Sequence, residues 1–481
     1  GTVVRVLAWA AAAALVAHPV SDHPFYGGPP GFGGAQIGMV AYAIVLVAST
    51  WLAHRWTERA LLVLGSGLLA AGVAEVLLET PLASRYRPPF RYDERAIWGT
   101  RPGRLAEHTR LAVNGGGRVY ARHNALGYRG EELLPRDDHH RRILVTGDSF
   151  VHALYSADDD TFAEQLERSL AQRLRAPVEV VNGGVASFGP DQQLLRLPDD
   201  LRVLAPDLLI VQLYAGNDFG DLLRNKLFRL GAAGELLPNP WRLDEELRAA
   251  FETSERESIV KRALGHALKL LFPPASTPGD AIPDDRGQTR IERWLQASLA
   301  EYDSYVVHGD DVVRNVFDDF YGADVSLLPR SDAARYRVRM MEAVLRQIGE
   351  RAQEAHVPLL LLIVPDARDV APGYDGIVID AARYPDYAPT NLTGALRAAA
   401  EKAGLPWLDL FDVFASRGAD DLYFHGGDHH WNEAGQALAA EVTADRLISR
   451  GLVPARGPEA GVPVVSRAAP GIVDPRGAKE E

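Results

Sequence analysis

Three long apolar stretches open the chain, at residues 3–17, 37–53 and 60–78, and from about residue 141 the pattern changes to short apolar runs alternating with amphipathic ones. The second and third stretches approach the roughly 20 residues that cross a bilayer core. They are apolar around the whole circumference rather than along one stripe, so two transmembrane helices are expected there. The first stretch is shorter, alanine-rich and carries Arg5 near its start, which leaves a third span or the remnant of a signal segment open. Residues 18–36, rich in Gly, Pro and aromatics, read as an exposed loop. Arg55 and Arg59 put the link between the second and third spans inside by the positive-inside rule, and hence everything after residue 78 outside. Arg85, Arg87, Arg91 and Arg95 argue the reverse, but long domains translocate regardless of charge. Residues 1–80 are therefore expected to be a membrane region and 81–140 a linker and lead-in.

Past residue 141 the runs at 143–145, 178–181, 208–213, 359–364 and 407–410 are rich in Val, Ile or Leu and bounded by Gly, Pro, Asn or Asp, which predicts strands. Helices are predicted between them at 162–174, 192–204, 335–355, 392–403 and 433–448, the first with Thr161 and Glu164 as a capping box. Strands alternating with helices predict an α/β domain over 141–450 built on a largely parallel sheet. Residues 222–331 break the alternation and read as a mainly helical insertion with proline links near 273–283, and 451–481 read as a flexible tail.

The 64 acidic and 51 basic residues give a net charge of −13 with no basic stripe, so nucleic acid is set aside as a partner. The chain has no cysteine, which removes disulfides, thiolate metal sites and cysteine nucleophiles together.

Candidate chemistry sits where predicted strands end, the place where open α/β sheets gather ligands. Gly147-Asp148-Ser149 follows the first run, and a serine on a tight strand-to-helix turn presents its hydroxyl above the sheet, although the same serine could simply cap a helix. Gly216-Asn217-Asp218 follows the third run. An Asn amide can donate to an oxyanion, or close a turn. Ahead of the last helix lies His425-Gly-Gly-Asp428-His429-His430-Trp431-Asn432, where an Asp two positions before a His can fix its tautomer and stabilise its charged form. A loop this dense in histidine could instead bind metal.

Together, Gly147-Asp148-Ser149, Asn182-Gly-Gly-Val-Ala-Ser-Phe-Gly189, Gly216-Asn217-Asp218 and Asp428-His429-His430-Trp431-Asn432 resemble, in order, the four signature blocks of the SGNH/GDSL hydrolases. The stretches His123-Asn-Ala-Leu-Gly-Tyr-Arg129 and Asp160-Thr-Phe-Ala-Glu-Gln-Leu-Glu167 resemble the bacterial, often membrane-attached members. The resemblance implies a flavodoxin-like three-layer sandwich with a mainly parallel five-stranded sheet, here preceded by N-terminal transmembrane helices. It implies Ser149 as nucleophile, His430 as base and Asp428 as its orienter, with an oxyanion held by the Ser149 N–H, the Asn217 side chain and the Ser187 N–H. Ser187 stands where the family usually has glycine. The Asp-to-His spacing of two rather than three resembles the alginate O-acetyltransferase-like branch.

The expectation is a membrane-anchored serine esterase or O-acyltransferase, with its catalytic domain extracytoplasmic. It would act through an acyl-serine intermediate on acyl, foremost acetyl, esters of envelope carbohydrate or lipid, with no cofactor and no metal. A metal-dependent phosphoesterase using Asp148, Asn217, Asp218, Asp428, His429 and His430 is the alternative, and a catalytically silent glycan-binding module a third reading.

Overall fold

The computed structural model describes residues 90–136, 140–256, 288–316, 322–376, 380 and 382–453, together with residues 34–51 and scattered positions among the first 66. Its first element, helix α1 (Gly34–Ser49), covers most of the second apolar stretch in 16 residues. At 1.5 Å per residue that is about 24 Å, short of the roughly 30 Å of a bilayer core. At its end the Ser49 hydroxyl bonds back to the Leu46 carbonyl at 2.7 Å and Thr50 to that of Val47 at 2.6 Å, and the chain turns. Among the described residues no helix is long and apolar enough to cross a membrane, which corrects the expected N-terminal transmembrane helices. The expected spans at 3–17 and 60–78 fall for the most part outside the described residues.

Residues 90–122, inside the stretch read as linker and lead-in, form two antiparallel hairpins. Strand β1 (Phe90–Asp93) pairs with β2 (Ile97–Thr100), and β3 (Leu105–Thr109) with β4 (Arg118–Arg122). The first is anchored by the fully buried Trp98, whose indole N–H donates to the Ala186 carbonyl at 3.2 Å.

The central sheet begins with β5 (Arg141–Gly147), β6 (Val178–Gly184) and β7 (Leu208–Tyr214). The described part of the 222–331 segment adds two short strand pairs to its helices. Strand β8 (Phe228–Leu230) pairs with β9 (Leu236–Pro238), and β10 (Arg242–Leu243) with β11 (Val312–Val313), so this segment is less purely helical than its pattern suggested. Strands β12 (Leu359–Val364) and β13 (Trp407–Asp409) complete the sheet.

All five core strands run parallel in the order β13-β12-β7-β5-β6. Numbered among themselves this is 2-1-3-4-5, the flavodoxin-like order, whose switch point lies between β5 and β7. Both faces are buried because alternate residues feed separate cores. Leu144, Val181, Leu209, Val211, Leu361 and Ile363 pack on one side, and Ile143, Val145, Val180, Ile210, Leu360 and Leu362 on the other. Near-continuous apolar runs are what such doubly covered strands require.

Candidate active site

The turn after β5 is held too tightly for any residue but glycine at 147, since a Cβ there would collide with the Gln212 amide and the Val151 side chain. Asp148 then caps the short helix α2 (Ser149–His152), accepting from the Phe150 N–H at 2.8 Å, so Ser149 is fixed as the first helical residue. The far end of α2 is gripped by Arg129, which donates to the carbonyls of His152 and Ala153, to that of Ser156 at 2.6 Å, and to Asp158 at 3.1 Å.

His430 arrives from the loop before the last helix. Its Nε2 lies 2.7 Å from the Ser149 Oγ, and its Nδ1 lies 2.6 Å from Asp428 Oδ1. The same carboxylate oxygen accepts the His430 backbone N–H at 3.1 Å. A spacing of two suffices because one oxygen turns back onto both the ring and the main chain of the residue it orients. Burial pushes the Asp428 carboxyl up, but the charge of the His430 imidazole and its hydrogen bonds outweigh this and hold it below the ordinary range. The fully buried Trp431 fastens the loop to α2, donating from its indole to the Phe150 carbonyl at 2.9 Å and stacking on Phe162. Asn432 caps the closing helix through the Ala434 and Gly435 N–H groups.

Asn217 follows β7, where Gly216 is required because a Cβ would strike the Asp366 carboxylate and the Tyr214 ring. Asn217 is 3% exposed, and its side chain makes no cap bond to the helix Asp218–Arg224 that it precedes. The buried Arg224 of that helix pairs with Asp221 at 3.1 Å and donates to the Ser187 carbonyl at 2.6 Å, so the two expected oxyanion segments are cross-linked. Ser187 has φ +61°, in the left-handed region that glycine enters freely and serine enters at a cost of roughly 1 kcal/mol. Its N–H and that of Ser149 bond to no backbone or side-chain group among the described residues. Asn217→Ala is expected to reduce turnover by about 100- to 1,000-fold, the effect of removing one oxyanion donor. Ser187→Ala keeps its N–H and should stay within about threefold; steady-state ester hydrolysis by both variants distinguishes side-chain from backbone donation.

The residues of the metal-dependent alternative are not gathered at one point. Asp428 serves His430, while Asp218 is fully buried, accepts the Tyr214 N–H at 2.8 Å, and is pushed well above the carboxylate range by burial and by Asp148 and Asp221. Among the described residues no group of three or more His, Asp or Glu is arranged to hold a metal ion.

Several residues that shape the site carry no sequence signal of their own. Asn114, at the tip of the β3–β4 hairpin, exchanges two hydrogen bonds with the His425 backbone at 2.9 and 2.8 Å. Arg110 pairs with Glu433 and donates to the Tyr155 carbonyl at 2.5 Å. Tyr374 donates to the carbonyls of Phe424 and, at 2.9 Å, Asp428, and Asp375 accepts the Gly427 N–H at 2.7 Å. These contacts fix a glycine-rich loop that could not fix itself.

Residues 320–467 match the family described as the SGNH hydrolase-like domain of acetyltransferase AlgX. That span contains Asp428 and His430 but neither Ser149 nor Asn217. Among solved structures, a lipase/acylhydrolase from Enterococcus faecalis is 13% identical, with 64% of this chain and 96% of that one covered at a TM-score of 0.31. The acetyl xylan esterase AlAXEase is 12% identical, with 64% and 100% covered at 0.31. The psychrotrophic esterase EstA from Pseudoalteromonas sp. is 12% identical, with 63% and 95% covered at 0.30. No curated protein matches the chain.

Proposed function

We propose that this chain, whose residues 320–467 match an SGNH hydrolase-like domain, is an SGNH-type hydrolase or acetyltransferase that works through an acetyl-Ser149 intermediate on acetyl esters of carbohydrate or lipid. The observation that carries the reading is the unbroken path from Asp428 through His430 to Ser149, with links of 2.6 and 2.7 Å. Ser149 Oγ attacks the acyl carbonyl as His430 Nε2 takes its proton. The C–O bond to the leaving alcohol then breaks, and the alcohol departs with the proton from His430. Asp428, held ionised, stabilises the imidazolium formed in between. The N–H groups of Ser149 and Ser187 and the Asn217 amide are the donors for the oxyanion.

The test is peptide mass spectrometry after brief exposure of the protein to p-nitrophenyl acetate and acid quench. One acetyl group on the peptide containing Ser149 is expected, cleared on longer incubation. Nitrophenol release with no acetyl on that peptide at any time would exclude the covalent route.

A further inference from the structure

The Ser149 mechanism leaves unused a second imidazole next to the first. His429 stands parallel to His430, with ring centroids 5.7 Å apart and planes at 7°, and parallel to Tyr214 at 6.0 Å and 12°. Tyr214 is an immobile support. It is buried, stacks on Phe150 at 3.9 Å, and donates its hydroxyl to Asp366 at 2.6 Å. Asp366 is clamped in turn by Arg368, which lies over the Trp294 ring. His429 is thus positioned by ring stacking, with the Asp366 carboxylate and the Arg368 guanidinium near enough to act on its charge. Neither of its ring nitrogens has a hydrogen-bond partner among the described residues, and neither is sealed from solvent. Burial, aided by the charge of Arg368, lowers its pKa to about 4, so at neutral pH it offers one N–H donor and one lone pair.

Tyr155 also meets His430, edge-on, with centroids 6.1 Å apart at 68°. Its hydroxyl also has no partner among the described residues, and burial together with nearby Asp428 keeps it protonated. The group that clears the acyl enzyme must deliver an O–H to His430 Nε2, on a ring that both of these side chains flank. Water needs no holder there. A sugar hydroxyl does, because its ring must be oriented and its neighbouring hydroxyls both donate and accept.

We propose that His429 is the acceptor-binding residue of this site, holding a carbohydrate beside His430 with help from Tyr155, and that this selects transfer over hydrolysis; the inference rests on the acetyl-Ser149 reading. In the transfer step the acceptor oxygen attacks the acetyl-Ser149 carbonyl while its proton goes to His430 Nε2. The bond from the carbonyl carbon to Ser149 Oγ breaks, and Oγ recovers the proton from His430. The acetyl group moves from one oxygen to another, and no other reagent is needed.

The test follows p-nitrophenyl acetate turnover with methyl β-glucoside or cello-oligosaccharides as acceptors, and measures acetylated sugar against free acetate. This ratio is taken per acetyl enzyme formed, so altered acylation cancels. In His429→Ala the ratio is expected to fall at least tenfold, and in His429→Gln, which keeps a donor and an acceptor, to recover in part. An unchanged ratio in His429→Ala would overturn the proposal. So would a native protein that acetylates Ser149 but passes nothing to either sugar, leaving the acyl-enzyme reading intact. Absence of acetyl-Ser149 in the native protein would instead remove the underlying reading.

Discussion

Ser149→Ala is expected to lower ester turnover by roughly four to six orders of magnitude, with the fold unchanged. In the proposed mechanism the loss is large because Ser149 and His430 would act as one unit: without the hydroxyl, His430 would have no proton to move and the oxyanion donors no intermediate to hold. The residue is nonetheless cheap to remove structurally. Its Oγ bonds to His430, whose side chain remains 19% exposed and can turn to water, so a stability change below about 1 kcal/mol is expected. Asp428→Asn should be somewhat milder, near 10⁴, because the amide presents its own hydrogen to Nδ1 and favours the wrong tautomer. Initial rates on p-nitrophenyl acetate, paired with thermal melts, decide the matter. Ser149→Ala retaining more than about a hundredth of native turnover with a native melt would mean that another group performs the attack.

How much of this was legible beforehand depended on whether the information was local. The core strands could be read from short apolar runs because both faces of a parallel strand are buried, and residues 359–364 form the strand β12 (Leu359–Val364) as expected. The turn at Gly147 and the Asp428-to-His430 spacing are local too, and the latter works because one carboxylate oxygen serves the backbone and the ring of the same residue. What could not be read were the tertiary braces. Asn114 lies 311 residues from the His425 it holds, and Tyr374 lies 54 from Asp428. Nothing in their neighbourhoods marks them. The stretch at 37–53 differs for another reason: its apolar composition resembles a span, but the helix there has 16 residues, with Ser49 and Thr50 at its end bonding back to its carbonyls. At Ser187, where the family usually has glycine, serine keeps the backbone N–H while its left-handed conformation is strained.

His152→Gln and Asp218→Asn are expected to tilt the dependence of stability on pH in opposite directions, because the two groups are buried in opposite charge states. His152 lies three residues past Ser149 on α2, its Nε2 3.0 Å from that of His123, with both rings buried. Burial, then the neighbouring His123 and Arg129, hold His152 well below the ordinary value of 6.5, and burial with Arg104 and Arg129 brings His123 to about 3. A histidine that is neutral when folded binds a proton only on unfolding at mildly acidic pH. Its stabilising contribution is therefore complete above about pH 6.5 and declines below it by up to about 1.4 kcal/mol per pH unit. Asp218 works the other way. Its raised pKa makes the folded state the better proton binder above the unfolded value near 3.9, so its contribution improves as pH falls. Asp191, raised to about 6 chiefly by burial, adds to that side, so the native curve is a difference of opposed slopes and only variants can separate them.

Urea melts between pH 7.5 and 4.5 make the separation. Relative to native, His152→Gln should gain about 1.4 kcal/mol per pH unit as pH drops below 6.5. Asparagine at 218 can still accept the Tyr214 N–H, and it mimics the protonated acid without the cost of keeping it protonated. Asp218→Asn should therefore be most stabilising at pH 7.5 and lose that advantage on acidification. Curves parallel to native for both variants would mean that neither burial sets a charge state.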